Sequence, residues 1–196
     1  MSNVGSTYDH ILACAQKLIV SGGYNGFSYA DIADIVGIRK ASIHHHFPSK
    51  VDLVQTLVSR YRIAAETGFA GIEQNVPHPL DQLRTYTDHW AKCIDDGSRP
   101  FCVCALLASE LPLLPPEVAV EVKAYFQLLS GWLTRTFGCA ASQGVIHISR
   151  APAVEAELFM ATVHGAMLSA RAYGDATKFS IVTSAAFEDL RPKHQG

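Results

Sequence analysis

Arg39, Lys40, Ser42, the triplet His44-His45-His46 and Lys50 fall within twelve residues, the densest run of Lys, Arg and His in the chain. Guanidinium and ammonium groups reach phosphates and guanine edges, and hydroxyls and imidazoles donate or accept at base edges or phosphates. This is nucleic-acid chemistry. A metal site is the competing reading of three histidines, but adjacent residues on a helix point about 100° apart, so the three cannot face one ion. Cys14, Cys93, Cys102, Cys104 and Cys139 form no CxxC pair and read as reduced thiols, with no metal and no cofactor. Enzymatic chemistry finds no foothold either. The chain has no glycine-rich phosphate loop, no GxSxG and no HExxH.

The basic run needs a scaffold, and the residues around it supply one. Ser28 is an N-cap, and Asp31 stands in the capping-box position where Glu or Gln is usual. Ile32, Ala33 and Val36 form the inner face of a helix of about two turns, and Gly37 supplies the turn. A second helix runs from Arg39 to His46, with Ile43 and Phe47 four apart on its apolar side. Pro48 closes it, and Ser49 caps the next helix, where Lys50 is placed to hold a phosphate. Two short helices across a glycine turn make a helix-turn-helix, whose second helix enters the DNA major groove. Ser28, Tyr29 and Ala41 complete the DNA-facing set.

Over residues 7–55 the chain resembles the N-terminal domain of the TetR family of transcriptional regulators. The resemblance is carried by Gly26, Phe27, Ser28, Ile32, Ala33, Gly37, Ile38, Lys40, Ser42, His46, Phe47, Ser49, Lys50 and Leu53. His44 stands where the family usually has Tyr, and Ala41 where Gly is common. The resemblance implies a homodimeric, cytoplasmic repressor with a DNA operator and a small-molecule effector as partners.

The whole chain agrees with a folded regulator rather than a polycation. It has 196 residues, 48% hydrophobic and 17% charged, with a net charge of −2, so any DNA contact must come from a local patch. The shortage of charge suggests that surface is buried between subunits. The N-terminus carries no apolar signal segment, and no run approaches the length of a membrane span.

Before the helix-turn-helix, residues 1–6 read as unstructured. Thr7 caps a helix with its apolar stripe at Ile11, Leu12, Ala15, Leu18 and Ile19, ended by Gly22 and Gly23. After it, helices are expected from Ser49 to about Ala70, broken by Gly68 and Gly71, from Leu80 to Asp95, and over the apolar stretch Phe101–Leu111. Two long helices follow, from Glu117 to Phe137 and from Pro152, at the first helical position, to Tyr173. Between them lies a loop with an extended piece at Val145–Ile148, and a last helix runs from Lys178 to Leu190 before a polar tail. The expected architecture is all-α, with about nine or ten helices: a three-helix head at 1–50 and a helical ligand-binding and dimerisation body at 51–196.

Two further constellations stand out. Small residues at Gly165, Ala166, Ser169 and Ala170 allow close helix approach. With the two long helices taken as the dimer bundle that the resemblance implies, the interface is assigned to Leu128, Trp132, Phe159, Val163, Ala166 and Ala170. Aromatic and apolar residues with a few polar groups mark a pocket for a small, largely apolar effector. Its lining is assigned to Phe69, Tyr86, His89, Trp90, Cys93 and Cys102, with Leu106, Phe126, Leu129, Thr162 and His164. The alternative is a thiol sensor of electrophiles or oxidants on the same scaffold, using Cys102 and Cys104.

Overall fold

A computed structural model describes residues 6–190. Among them are nine α-helices and one 3-10 turn, and no strand. The helices are α1 (Thr7–Gly22), α2 (Tyr29–Val36), α3 (Lys40–His46), α4 (Lys50–Asn75), α5 (Pro79–Asp95), α6 (Val103–Ser109), α7 (Pro116–Ser142), α8 (Pro152–Tyr173) and α9 (Thr177–Asp189). The 3-10 turn, Leu111–Leu113, follows α6. None of the helices is long and apolar enough to cross a membrane.

The chain divides into two compact units. The first takes in the chain up to Ala64 together with Val103–Tyr125, and so contains α1 to α3, the start of α4, α6 and the start of α7. Its core includes Ile11, Ile19, Ile32, Ile43, Leu53 and Leu107, each fully buried, together with Phe47 and Tyr125. The second takes in Ala65–Cys102 and the chain from Phe126, and its core is aromatic, with Trp132, Phe137 and Phe179 fully buried.

Several helix ends differ from their sequence-based expectation. Ser6, not Thr7, caps α1, its hydroxyl accepting the Asp9 N–H. Residues 1–5 and the polar tail 191–196 lie outside the described residues. Gly68 and Gly71 do not break α4, which runs on to Asn75. A glycine inside a helix costs only about 1 kcal/mol relative to alanine, and the helix stops where Pro77 ends the supply of backbone donors. Likewise α7 passes through Gly138 to Ser142, with Thr136, Phe137 and Ala140 buried on its inner side. The expected extended piece at Val145–Ile148 is irregular, with the Val145 N–H bonded to the Ala140 carbonyl at 3.0 Å and the His147 N–H to the Leu190 carbonyl at 3.1 Å. A lone strand has no partner ladder to satisfy it.

The cap of α2 is complete despite its unusual aspartate. The Asp31 carboxylate accepts the Ser28 backbone N–H at 2.7 Å and its hydroxyl at 2.8 Å, while Ser28 Oγ accepts the Ala30 N–H. These bonds hold the Asp31 carboxyl below the usual carboxylate range. Removing the hydroxyl in Ser28→Ala is expected to cost about 1 kcal/mol of stability. A urea midpoint equal to that of the unaltered chain would refute this role for the cap.

Candidate nucleic-acid interface and apolar site

The helix-turn-helix is built on a left-handed glycine. Gly37 has φ +75°, and both its N–H and that of Ile38 bond to the Ala33 carbonyl, at 2.9 and 3.0 Å. This turn releases α2 and redirects the chain into α3. Only Ile43 of α3 is fully buried, and Phe47 just after it is 2% exposed. Arg39, Lys40, Ala41, Ser42, His44 and His45 are all exposed. The amphipathic division read from the sequence is therefore the one present on the surface of the first unit.

The far end of α3 is clamped from three sides. The Phe47 ring stacks on Tyr8 of α1, with centroids 4.7 Å apart. The Tyr29 hydroxyl of α2 donates to the Phe47 carbonyl at 2.9 Å. His44 Nδ1 lies 3.2 Å from the Pro48 carbonyl oxygen, and its ring meets Tyr29 edge-on at 4.8 Å. Burial, reinforced by the charge of Asp52 and by Tyr24, pushes the Tyr29 phenol up to about 12, so it stays a donor. Of the predicted DNA-facing residues, Tyr29 and His46 are half-buried, and His46 packs against Tyr8 at 6.0 Å.

Lys50 departs from its expected role. Its ammonium donates to the Phe27 carbonyl and sits over the Phe27 and Tyr24 rings, at 4.0 and 4.9 Å from their centroids. Burial lowers its pKa, with Asp31 opposing the shift. The side chain thus faces into the head, because the turn before α2 offers a carbonyl and two ring faces that outcompete open water.

In the second unit, Phe69, Tyr86 and Trp132 form one aromatic cluster. Phe69 stacks on Trp132 with centroids 4.6 Å apart and planes within 6°, and Tyr86 lies 5.6 Å from Trp132. Tyr86 Oη, Trp132 Nε1 and His164 Nε2 are buried without a hydrogen-bond partner. Burial is the main reason that the Tyr86 phenol is pushed far up, the charge of Cys102 adding to it and a contact with Trp90 pulling the other way. The predicted pocket residues divide accordingly. Phe69 and Tyr86 join this cluster, and Phe126 lies 5.5 Å from the His164 ring. Trp90, Cys93, Cys102 and Leu129 are buried in the same unit. His89 is exposed, 3.7 Å from Cys93 Sγ, and Thr162 donates its hydroxyl to the Leu158 carbonyl. Leu106 belongs to the first unit, and Cys102 and Cys104 are fully buried.

The side chains assigned to a subunit interface need correction. Trp132, Phe159, Val163, Ala166 and Ala170 are all buried within the single chain, and Leu128 is half-buried. α8 is apolar on both faces, and the small-residue stripe is split between them, with Ala166 and Ala170 buried, Ser169 half-buried and Gly165 exposed. Its outer face carries Val154, Leu158, Ala161, Gly165, Leu168 and Ala172, all exposed and spaced by four and three. Trp132, fully buried within the chain, offers no surface to a partner, and sequence reasoning did not single out this outer row. The three-and-four spacing was readable, but which of two apolar faces turns inward was not.

Residues 11–57 match the family model described as bacterial regulatory proteins, tetR family. The solved structure of a TetR-family transcriptional regulator from Agrobacterium tumefaciens is 56% identical, covers 94% of this chain and 97% of that one, and superposes with a TM-score of 0.92. A TetR transcriptional regulator from Legionella pneumophila is 28% identical, covering 97% and 100% of the two chains, with a TM-score of 0.86. The HTH-type transcriptional repressor KstR2 of Mycobacterium tuberculosis is 28% identical over 81 residues, a match that spans 41% of this chain and 40% of the repressor. With the helix-turn-helix in place and a relative aligned along nearly its whole length, the chain belongs to the TetR family of transcriptional regulators.

Proposed function

We propose that this regulator is a cytoplasmic, homodimeric repressor that binds a near-palindromic operator through α3 and leaves it when a small, largely apolar effector enters the helical body. The exposed row Arg39, Lys40, Ala41, Ser42, His44 and His45, set on buried Ile43 and Phe47, carries this reading. On a chain of net charge −2, this patch is the local source of DNA affinity. A single seven-residue helix reads few base pairs, and a dimer doubles the reading across half-sites about 34 Å apart or a multiple of that.

The dimer is assigned to the outer face of α8, joined by exposed Ile181 of α9. Leu158 and Leu168 are 45% and 58% exposed, a large apolar row to leave in water. The effector site is assigned to the Phe69, Tyr86 and Trp132 cluster. Each buried polar atom without a partner costs about 1–3 kcal/mol, which supports a ligand with an apolar body and a few polar atoms that engage Tyr86, Trp132 or His164. Entry of such a ligand shifts the operator-bound population only as far as it prefers the released state, and a few kcal/mol suffices.

Lys40→Ala is expected to weaken operator binding and reduce the salt dependence of log K by about one. Lys50→Ala, which disturbs head geometry rather than a phosphate contact, is expected to weaken binding with less change in that slope. Equal slopes for all three proteins in fluorescence anisotropy across a salt series would sink the assignment. Leu168→Glu is expected to give monomers with intact helicity by light scattering, and a dimer unaffected by it would move the interface elsewhere. Tyr86→Phe removes a buried hydroxyl whose proton has no acceptor, so the thermal midpoint is expected to hold or rise. The same variant is expected to reduce the stabilisation conferred by a hit from an apolar compound library. A marked loss of stability in the Phe variant would mean that the hydroxyl is already satisfied.

A further inference from the structure

Gly22 closes α1, and Gly23 and Gly26 lie in the turn to α2, three glycines in five residues on the covalent link between α1 and the helix-turn-helix. Such a segment has little conformational preference of its own. It must be held from outside for α2 and α3 to keep one orientation. One hold comes from Lys50, whose ammonium grips the Phe27 carbonyl one residue before the α2 cap. The other comes from Glu110, at the end of α6. Its carboxylate accepts the Tyr24 backbone N–H at 2.7 Å, across 86 residues of chain.

The fit is close on both sides. Gly23 has φ +77°, and a Cβ built there would lie 1.9 Å from Glu110 Oε1. The carboxylate therefore occupies the space that a side chain at position 23 would fill. Glu110 itself stands on a firm base. Its N–H bonds to the Leu107 carbonyl at 3.0 Å, its carbonyl accepts the Leu113 N–H at 2.8 Å, and Pro112 stiffens the 3-10 turn between them. Tyr24, held by Glu110 at its backbone, also lies under the Lys50 ammonium at its ring. A continuous set of contacts thus runs from the end of α6 through Tyr24 and Lys50 to the start of α2, all within the first unit.

We infer that Glu110 is a positioning residue for DNA binding: by holding the Gly23–Tyr24 turn on the end of α6, it sets the orientation in which α3 meets the operator. The inference rests on the reading of α3 as the recognition helix.

The test compares full-length Glu110→Ala, Glu110→Gln, Gly23→Ala and the Glu110→Ala/Gly23→Ala double variant. Two readouts are used: affinity for a duplex selected from a random pool by the unaltered protein, and hydrogen exchange at the Tyr24 amide. In Glu110→Ala, Tyr24 exchange is expected to rise and affinity to fall by about tenfold, the usual loss for a hydrogen bond to a charged group. Helical circular dichroism is expected to stay unchanged. Gln keeps an acceptor oxygen, so Glu110→Gln is expected to stay within about threefold of the unaltered protein. Gly23→Ala is expected to weaken binding by more than tenfold in the unaltered background, and by less once Glu110 is truncated. Unchanged Tyr24 exchange in Glu110→Ala overturns the contact. Raised exchange with unchanged affinity overturns the positioning role. If the unaltered protein selects no duplex, the proposed function fails and the positioning role with it, while Tyr24 exchange still judges the contact.

Discussion

A seven-residue helix does not persist in water by itself, because nucleation costs more than one turn of hydrogen bonds returns. α3 is such a helix, and the exposed basic row depends on its staying formed. Its persistence rests on burying Ile43 and Phe47 against the first unit's core. The Phe47 ring stacks on Tyr8, and the Phe47 carbonyl accepts the Tyr29 hydroxyl. The apolar side of α3 is thus what allows the polar side to be displayed. Truncating Phe47 would remove ring stacking and core volume together, a far larger loss than that of any exposed residue beside it.

The second unit solves a different problem. Its core holds the Phe69, Tyr86 and Trp132 cluster, and it leaves polar atoms of Tyr86, Trp132 and His164 buried without an acceptor or partner. Well-packed cores rarely tolerate that. The second unit also leaves one face of α8 apolar and exposed. Both features run against chain stability in isolation, and both are what the proposed effector and second copy would cover.

Much of the first unit was legible in the sequence. Gly37, Ile43, Phe47 and the cap at Ser28 each act through neighbours within a few residues, and such local chemistry can be read from spacing. The same holds for Pro152 and Gly174, which bound α8 as expected. Glycines inside long helices misled, because Gly68 and Gly138 are tolerated where flanking residues carry the helix. The inward turn of Lys50 and the grip of Glu110 on Tyr24 were not legible, since each depends on groups brought together from distant parts of the chain. On α8 the sequence reading singled out the row through Phe159, Val163, Ala166 and Ala170, and which apolar row is covered depends on what the rest of the chain packs against it.

The bond at the end of α3 constrains what His44 can offer. A carbonyl oxygen only accepts, so the contact between His44 Nδ1 and the Pro48 carbonyl requires the proton to sit on Nδ1. In the neutral ring, Nε2 then presents a lone pair to solvent. A phosphate oxygen meeting it finds no hydrogen, whereas the exocyclic amine of adenine or cytosine finds an acceptor. In that neutral form the imidazole offers the row an acceptor that Arg39 and Lys40 cannot supply.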